Sequence, residues 1–103
     1  MLEILHKESF AECLQTDFQV IQPGAAAFAL KLTKVIEQVK SPRQEAFSVL
    51  FHGPADRFIG QGTYKLRNEK MGQLEIFLVP IARDNDGFQY EAVFNHLLQP
   101  RQG

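Results

Sequence analysis

The sequence predicts an α+β domain that is mainly β: a short N-terminal helix followed by about six antiparallel strands, forming a small barrel or a compact sandwich. Three observations carry this. The spacing of apolar residues changes from i, i+3, i+4 to strict alternation near Asp17. The alternating segments are parted by turn-forming clusters at hairpin-length intervals: Pro23-Gly24, Ser41-Pro42, Gly53-Pro54, residues 68–72 and Asp84-Asn85-Asp86-Gly87. The chain has 103 residues, of which 45% are hydrophobic and nine are Phe. That is enough for one core and one domain. The expected domain spans residues 1–98, with residues 99–103 as a frayed tail.

In order along the chain, Phe10, Cys13 and Leu14 recur at helical spacing and predict an amphipathic helix over residues 7–15. Glu8 and Glu12 lie in its N-terminal half, and Ser9 with Glu12 fits a capping box that would start the helix late. Phe18, Val20 and Ile21 mark a first strand ended by Pro23-Gly24. Phe28, Leu30 and Leu32 alternate with Ala29, Lys31 and Thr33, and Val35, Ile36 and Val39 continue the pattern through a bulge. Helical spacing also fits part of residues 28–40, but the density of β-branched residues favours strand. Whether that stretch holds one strand or two is open. Phe47, Val49 and Phe51 alternate with Ala46, Ser48 and Leu50 before Gly53-Pro54 stops the strand. Residues 54–61 form a loop expected to bury Phe58 and Ile59. Tyr64 and Leu66 mark the next strand, and residues 68–72 a hairpin loop. Leu74, Ile76 and Leu78 face one way while Phe77 and Val79 face the other. After the turn at residues 84–87, Phe88, Tyr90, Ala92 and Phe94 alternate through the last strand. Pairing of consecutive strands is the simplest topology for such spacing.

Eleven Lys and Arg stand against twelve Asp and Glu, a net charge of −1, and no two basic residues are adjacent. Nucleic-acid binding draws most of its affinity from phosphate neutralisation, so nucleic acid is not an expected partner. No stretch approaches the ~20 apolar residues of a membrane span, so a membrane is not expected either. The opening residues lack the basic start and apolar run of a signal peptide, and Cys13 is the only cysteine. The expected location is therefore cytoplasmic, with Cys13 as a small buried hydrophobe.

No constellation points to an enzyme, a metal or a cofactor. Read as an EF-hand loop with Gly87 at its sixth position, residues 82–93 begin with Ala82 and end with Val93, where a calcium loop needs carboxylates. An ordinary turn accounts for the same residues. His6, His52 and His96 share no ligand spacing; His52 with Asp56 could form an acid/base pair but has no nucleophile beside it. Gly60-Gln61-Gly62 leads into a strand, whereas a phosphate cradle needs a helix N-terminus.

The strands around Phe47–Phe51 and Phe77–Val79 carry apolar residues on both faces, whereas a small open sheet normally covers one. Either the sheet closes on itself with the helix plugging the other side, or a second chain covers the spare face. The leading expectation is a non-enzymatic interaction or assembly module that pairs with a protein partner or itself. The alternative is a small-ligand-binding barrel with an aromatic-lined cavity. Under either reading the candidate interaction or lining residues are Phe47, Phe51, Tyr64, Phe77 and Tyr90.

The order Ala46-Phe47-Ser48-Val49-Leu50-Phe51-His52-Gly53-Pro54, Gln61-Gly62-Thr63-Tyr64, Leu78-Val79-Pro80-Ile81 and Asp86-Gly87-Phe88-Gln89-Tyr90-Glu91-Ala92-Val93-Phe94-Asn95 resembles a family of small uncharacterised bacterial domains. The resemblance covers nearly the whole chain, and the final Y-E-A-V-F-N run is its most specific part. It implies no catalytic residues or cofactor. It implies an accessory role in a bacterial complex, associated with phage-tail-like or collar-type proteins.

Overall fold

A computed structural model describes residues 6–97. It contains one helix, α1 (Lys7–Ala11), and six strands: β1 (Asp17–Ile21), β2 (Phe28–Ser41), β3 (Gln44–Pro54), β4 (Gly62–Asn68), β5 (Gly72–Asp84) and β6 (Gly87–Leu97). Every pairing is antiparallel, and the strands close into a barrel in the order β1-β2-β3-β6-β5-β4. Of the two expected architectures, the barrel is the one formed. The expected tail at residues 99–103 lies outside the described residues. Among the described residues, no helix is long and apolar enough to cross a membrane.

Consecutive pairing fails at one place. β3 turns away from β4 and pairs instead with β6 along its full length, from Gln44↔Leu97 to Pro54↔Gly87. β4 returns to β1, with Phe18↔Asn68 and Val20↔Leu66. Two three-stranded meanders are thus joined along both flanks, which leaves fewer unpaired edges than a single open meander would. The crossover over residues 55–61 passes over one end of the barrel and inserts Ile59 into the core; Phe58 stays 56% exposed, contrary to expectation, its ring edge-on to Phe88 at 4.9 Å. The backbone N–H of Ile59 donates to the Tyr90 hydroxyl at 3.1 Å, so the buried loop end is satisfied.

Strand residues alternate as the pattern requires. Phe18, Val20, Leu30, Leu32, Phe47, Val49, Phe51, Leu66, Leu74, Ile76, Leu78, Tyr90 and Ala92 point inward and share one core cluster with Phe10 and Cys13. The helix is shorter than the expected 7–15, because Gln15 turns into positive φ (66°) and residues 12–15 form turns. Its N-cap is His6, without a side-chain cap, so Ser9 lies inside the helix and opens no capping box. Phe10 and Cys13 are buried as predicted, while Leu14 is exposed.

Residues 28–41 are one strand, kinked by irregularities between Leu32 and Lys34 and between Glu37 and Val39. β3 ends at Pro54, at the Gly53-Pro54 stop that the sequence predicts. β2 pairs with β1 only over residues 28–31, and β5 pairs with β6 only over residues 79–84. The far halves of β2, β3 and β6 therefore project past the barrel as a three-stranded sheet, in a molecule 53 Å long and 28 Å wide.

Candidate functional site

The projecting sheet has two unlike faces. On the inner one α1 docks: Phe10 lies 6.0 Å from Phe47 and 5.2 Å from Phe94, centroid to centroid. Polar contacts pin the helix along the same face. The His6 imidazole is 3.0 Å from the buried Glu45 carboxylate, Lys7 pairs with Glu37, and Lys40 reaches Glu8 at 3.3 Å. The hydrogen bond that Lys7 donates to Glu37 is the main reason its ammonium titrates above its ordinary value. One short helix thus covers an apolar face it could not sustain alone.

Among the described residues, the outer face has no such cover. The register sets its residues in rows across the sheet. Lys34, Leu50, Glu91 and Val79 form one row, Ile36, Ser48 and Val93 the next, and Val39, Ala46 and Asn95 the third. Val93 is 61% exposed, Val39 39% and Ile36 37%, against complete burial of the Phe47 and Val49 side chains on the opposite face. The middle strand carries small residues: Ser48 is buried under its neighbours, with Gln38 donating to its hydroxyl at 3.0 Å, and Ala46 is 8% exposed. The result is a shallow trough floored by Ala46 and Ser48 and walled by Ile36 and Val39 on one side and Val93 on the other.

The five residues singled out from the sequence do not form one site. Phe47, Phe51 and Tyr90 are fully buried and pack into the core cluster, where Phe18 meets Phe51 edge-on at 5.2 Å and Phe47 stacks with Phe94 at 5.0 Å. Tyr64 is half-buried and donates its hydroxyl proton to the Gly60 carbonyl at 2.7 Å. Phe77 alone is 50% exposed, on the outer surface of β5. Their alternation signalled burial, and three of them are core. The signal for the outer face lay instead in Ala46, Ser48 and Leu50 of β3, which are apolar or small where an exposed face would be charged.

His52 does not approach Asp56 as a pair; its Nε2 lies 3.4 Å from Asp84. The Asp84 carboxylate is held below its ordinary range chiefly by the Asp86 N–H, then by the His52 contact and the Gly87 N–H. The residue closes the 84–87 turn. Cys13 is buried, which pushes its thiol above the ordinary value, and it sits 3.5 Å from the Asn68 side-chain oxygen. Among the described residues, no group of three or more His, Cys, Asp or Glu could hold a metal ion. Among the described residues, open hollows border the barrel, of about 1060 Å³ beside Asp17, Arg67 and Lys70 and about 600 Å³ beside Pro23, Thr63 and Tyr64.

Sequence reading missed Asn68, assigning it to a hairpin loop. It is 3% exposed, and its amide donates to Thr16 Oγ1 and the Asp17 carbonyl while its oxygen accepts from the N–H groups of Lys70 and Met71. Its short polar side chain marked a turn, and the same property lets it tie the closing β1–β4 seam to that turn. In comparison with known proteins, residues 5–94 match a family described as a domain of unknown function (DUF6916). No curated protein and no solved structure matches the chain.

Proposed function

The chain belongs to this family of domains of unknown function (DUF6916), and from that premise we propose that it is a non-enzymatic interaction module that docks through the outer face of the projecting β2–β3–β6 sheet. The observation that supports this reading is the asymmetry of that sheet. One face is sealed by α1, and the other presents Ile36, Val39 and Val93 to solvent over a floor of Ala46 and Ser48. Solvated sheet faces are ordinarily polar, so exposed apolar residues gathered between Lys34, Glu91 and Asn95 point to a covering partner. Such a module serves as an accessory part of a larger protein assembly, in keeping with the complex-associated role that its sequence motifs imply.

The experiment compares the wild-type chain with Val93→Glu, a substitution at a site exposed enough to leave the core alone. The measurements are stoichiometric capture of partners, mass by light scattering and the thermal midpoint. The reading expects a defined complex or oligomer in the wild type that Val93→Glu dissolves at an unchanged midpoint. A wild-type chain that is monomeric and captures nothing in stoichiometric amount would contradict it.

A further inference from the structure

We infer that the outer face of the projecting sheet is covered by a second copy of this chain, related by a two-fold axis running along β3. The inference rests on the docking role of that face and names its occupant. Its first support is charge. Lys34 on β2 and Glu91 on β6 lie in one row, on either side of Leu50. Neighbouring strands are about 4.8 Å apart, so the two backbones are separated by about 10 Å. Neither side chain has an ion-pair partner among the described residues. Rotation by half a turn about β3 exchanges the β2 and β6 flanks without moving the rows. Lys34 then lies over Glu91 of the partner subunit and Glu91 over Lys34 of the partner subunit. The same operation sets Ile36 of each copy over Val93 of the other. A face whose charges pair under its own two-fold rotation is self-complementary, as an isologous interface requires.

The second support is shape. The two-fold axis runs over Ala46 and Ser48, small residues of the middle strand, and over Leu50, which would meet its own copy, so two such faces can approach to the ~10 Å spacing of stacked sheets. A net charge of −1 adds little repulsion between copies. The area sets the strength. Three strands of about eight residues present a face of roughly 15 by 25 Å, or roughly 400 Å² from each copy. That is below the ~1,200 Å² total of standard stable interfaces, so the pair is reversible and concentration-dependent.

Sedimentation velocity on the full chain over a range of concentrations tests this with two charge reversals. Lys34→Glu sets like charges against each other twice in its own dimer, and so does Glu91→Lys. Each alone is expected to weaken self-association about tenfold or more. Mixing the two variants restores both opposite-charge contacts, and the mixed pair is expected to associate within about threefold of wild type. Because rescue needs only the two single variants, a folding defect in either would show as an altered melting curve and could not imitate it. A wild-type chain that stays monomeric overturns the inference, as does a dimer indifferent to the reversals or a mixture no tighter than its components. If the monomeric chain still captures another protein and loses it on Val93→Glu, the second copy is wrong and the docking face stands. If it captures nothing, both fail.

Discussion

At the scale of single residues, two glycines and a carboxylate hold the hairpin end of the barrel. Gly87 adopts a φ of +154°, and a Cβ placed there would lie 1.9 Å from the Gly53 carbonyl oxygen. No rotamer relieves a clash between Cβ and backbone. Gly87→Ala is therefore expected to destabilise by about 2–4 kcal/mol, read as a lower denaturation midpoint. Asp84 beside it accepts from the N–H groups of Asp86 and Gly87, both at 2.8 Å. Its folded value lies below the ordinary 3.8, so the stabilisation is present above that value and is lost as pH falls through the folded one. Asp84→Asn keeps an acceptor and removes the titration. Melting followed through the acid range should show a shallower loss of stability in Asp84→Asn than in wild type. An identical acid limb would mean that Asp84 contributes nothing there.

At the scale of elements, α1 is only five residues long and has no side-chain N-cap. Its stability comes from where Phe10 goes, between Phe18, Phe47 and Phe94. Phe10→Ala should cost about 3–5 kcal/mol and uncover the inner face of the projecting sheet, visible as a lower midpoint with increased dye binding to apolar surface. Strand existence was legible because alternation in Phe47–Phe51 and Leu74–Leu78 reports inward and outward positions directly. Some strand ends were legible too: Gly53-Pro54 read as a stop, and β3 ends at Pro54, with Gly53 set close to Leu30 and Tyr90 where a Cβ would crowd them. Pro80 is accommodated in β5, beside an irregularity in the pairing with β6. The long β2 was readable as strand from Thr33, Val35, Ile36 and Val39, but its continuity depends on kinks that only pairing with β3 defines.

At the scale of the whole molecule, six strands and one plugging helix were readable, and the order in which they close was not. Nothing local in residues 55–61 indicates that β4 should cross to β1; that choice is decided by long-range burial of Ile59 and by the Asn68 contacts along the seam. The same limit applied to the candidate site. Aromatic residues drew notice first and proved to be mostly core, whereas the outer face became visible once the register aligned Ile36, Ser48 and Val93. The most direct measurement is a zero-length carbodiimide cross-link on an equal mixture of ¹⁴N- and ¹⁵N-labelled chains, read by mass spectrometry. Lys40–Glu8 and Lys70–Glu12, both 3.3 Å apart within one chain, serve as single-isotope controls. The account expects Lys34–Glu91 cross-links of mixed isotope, diminishing on dilution. Controls that form while Lys34 and Glu91 yield no mixed-isotope product at any concentration would contradict it.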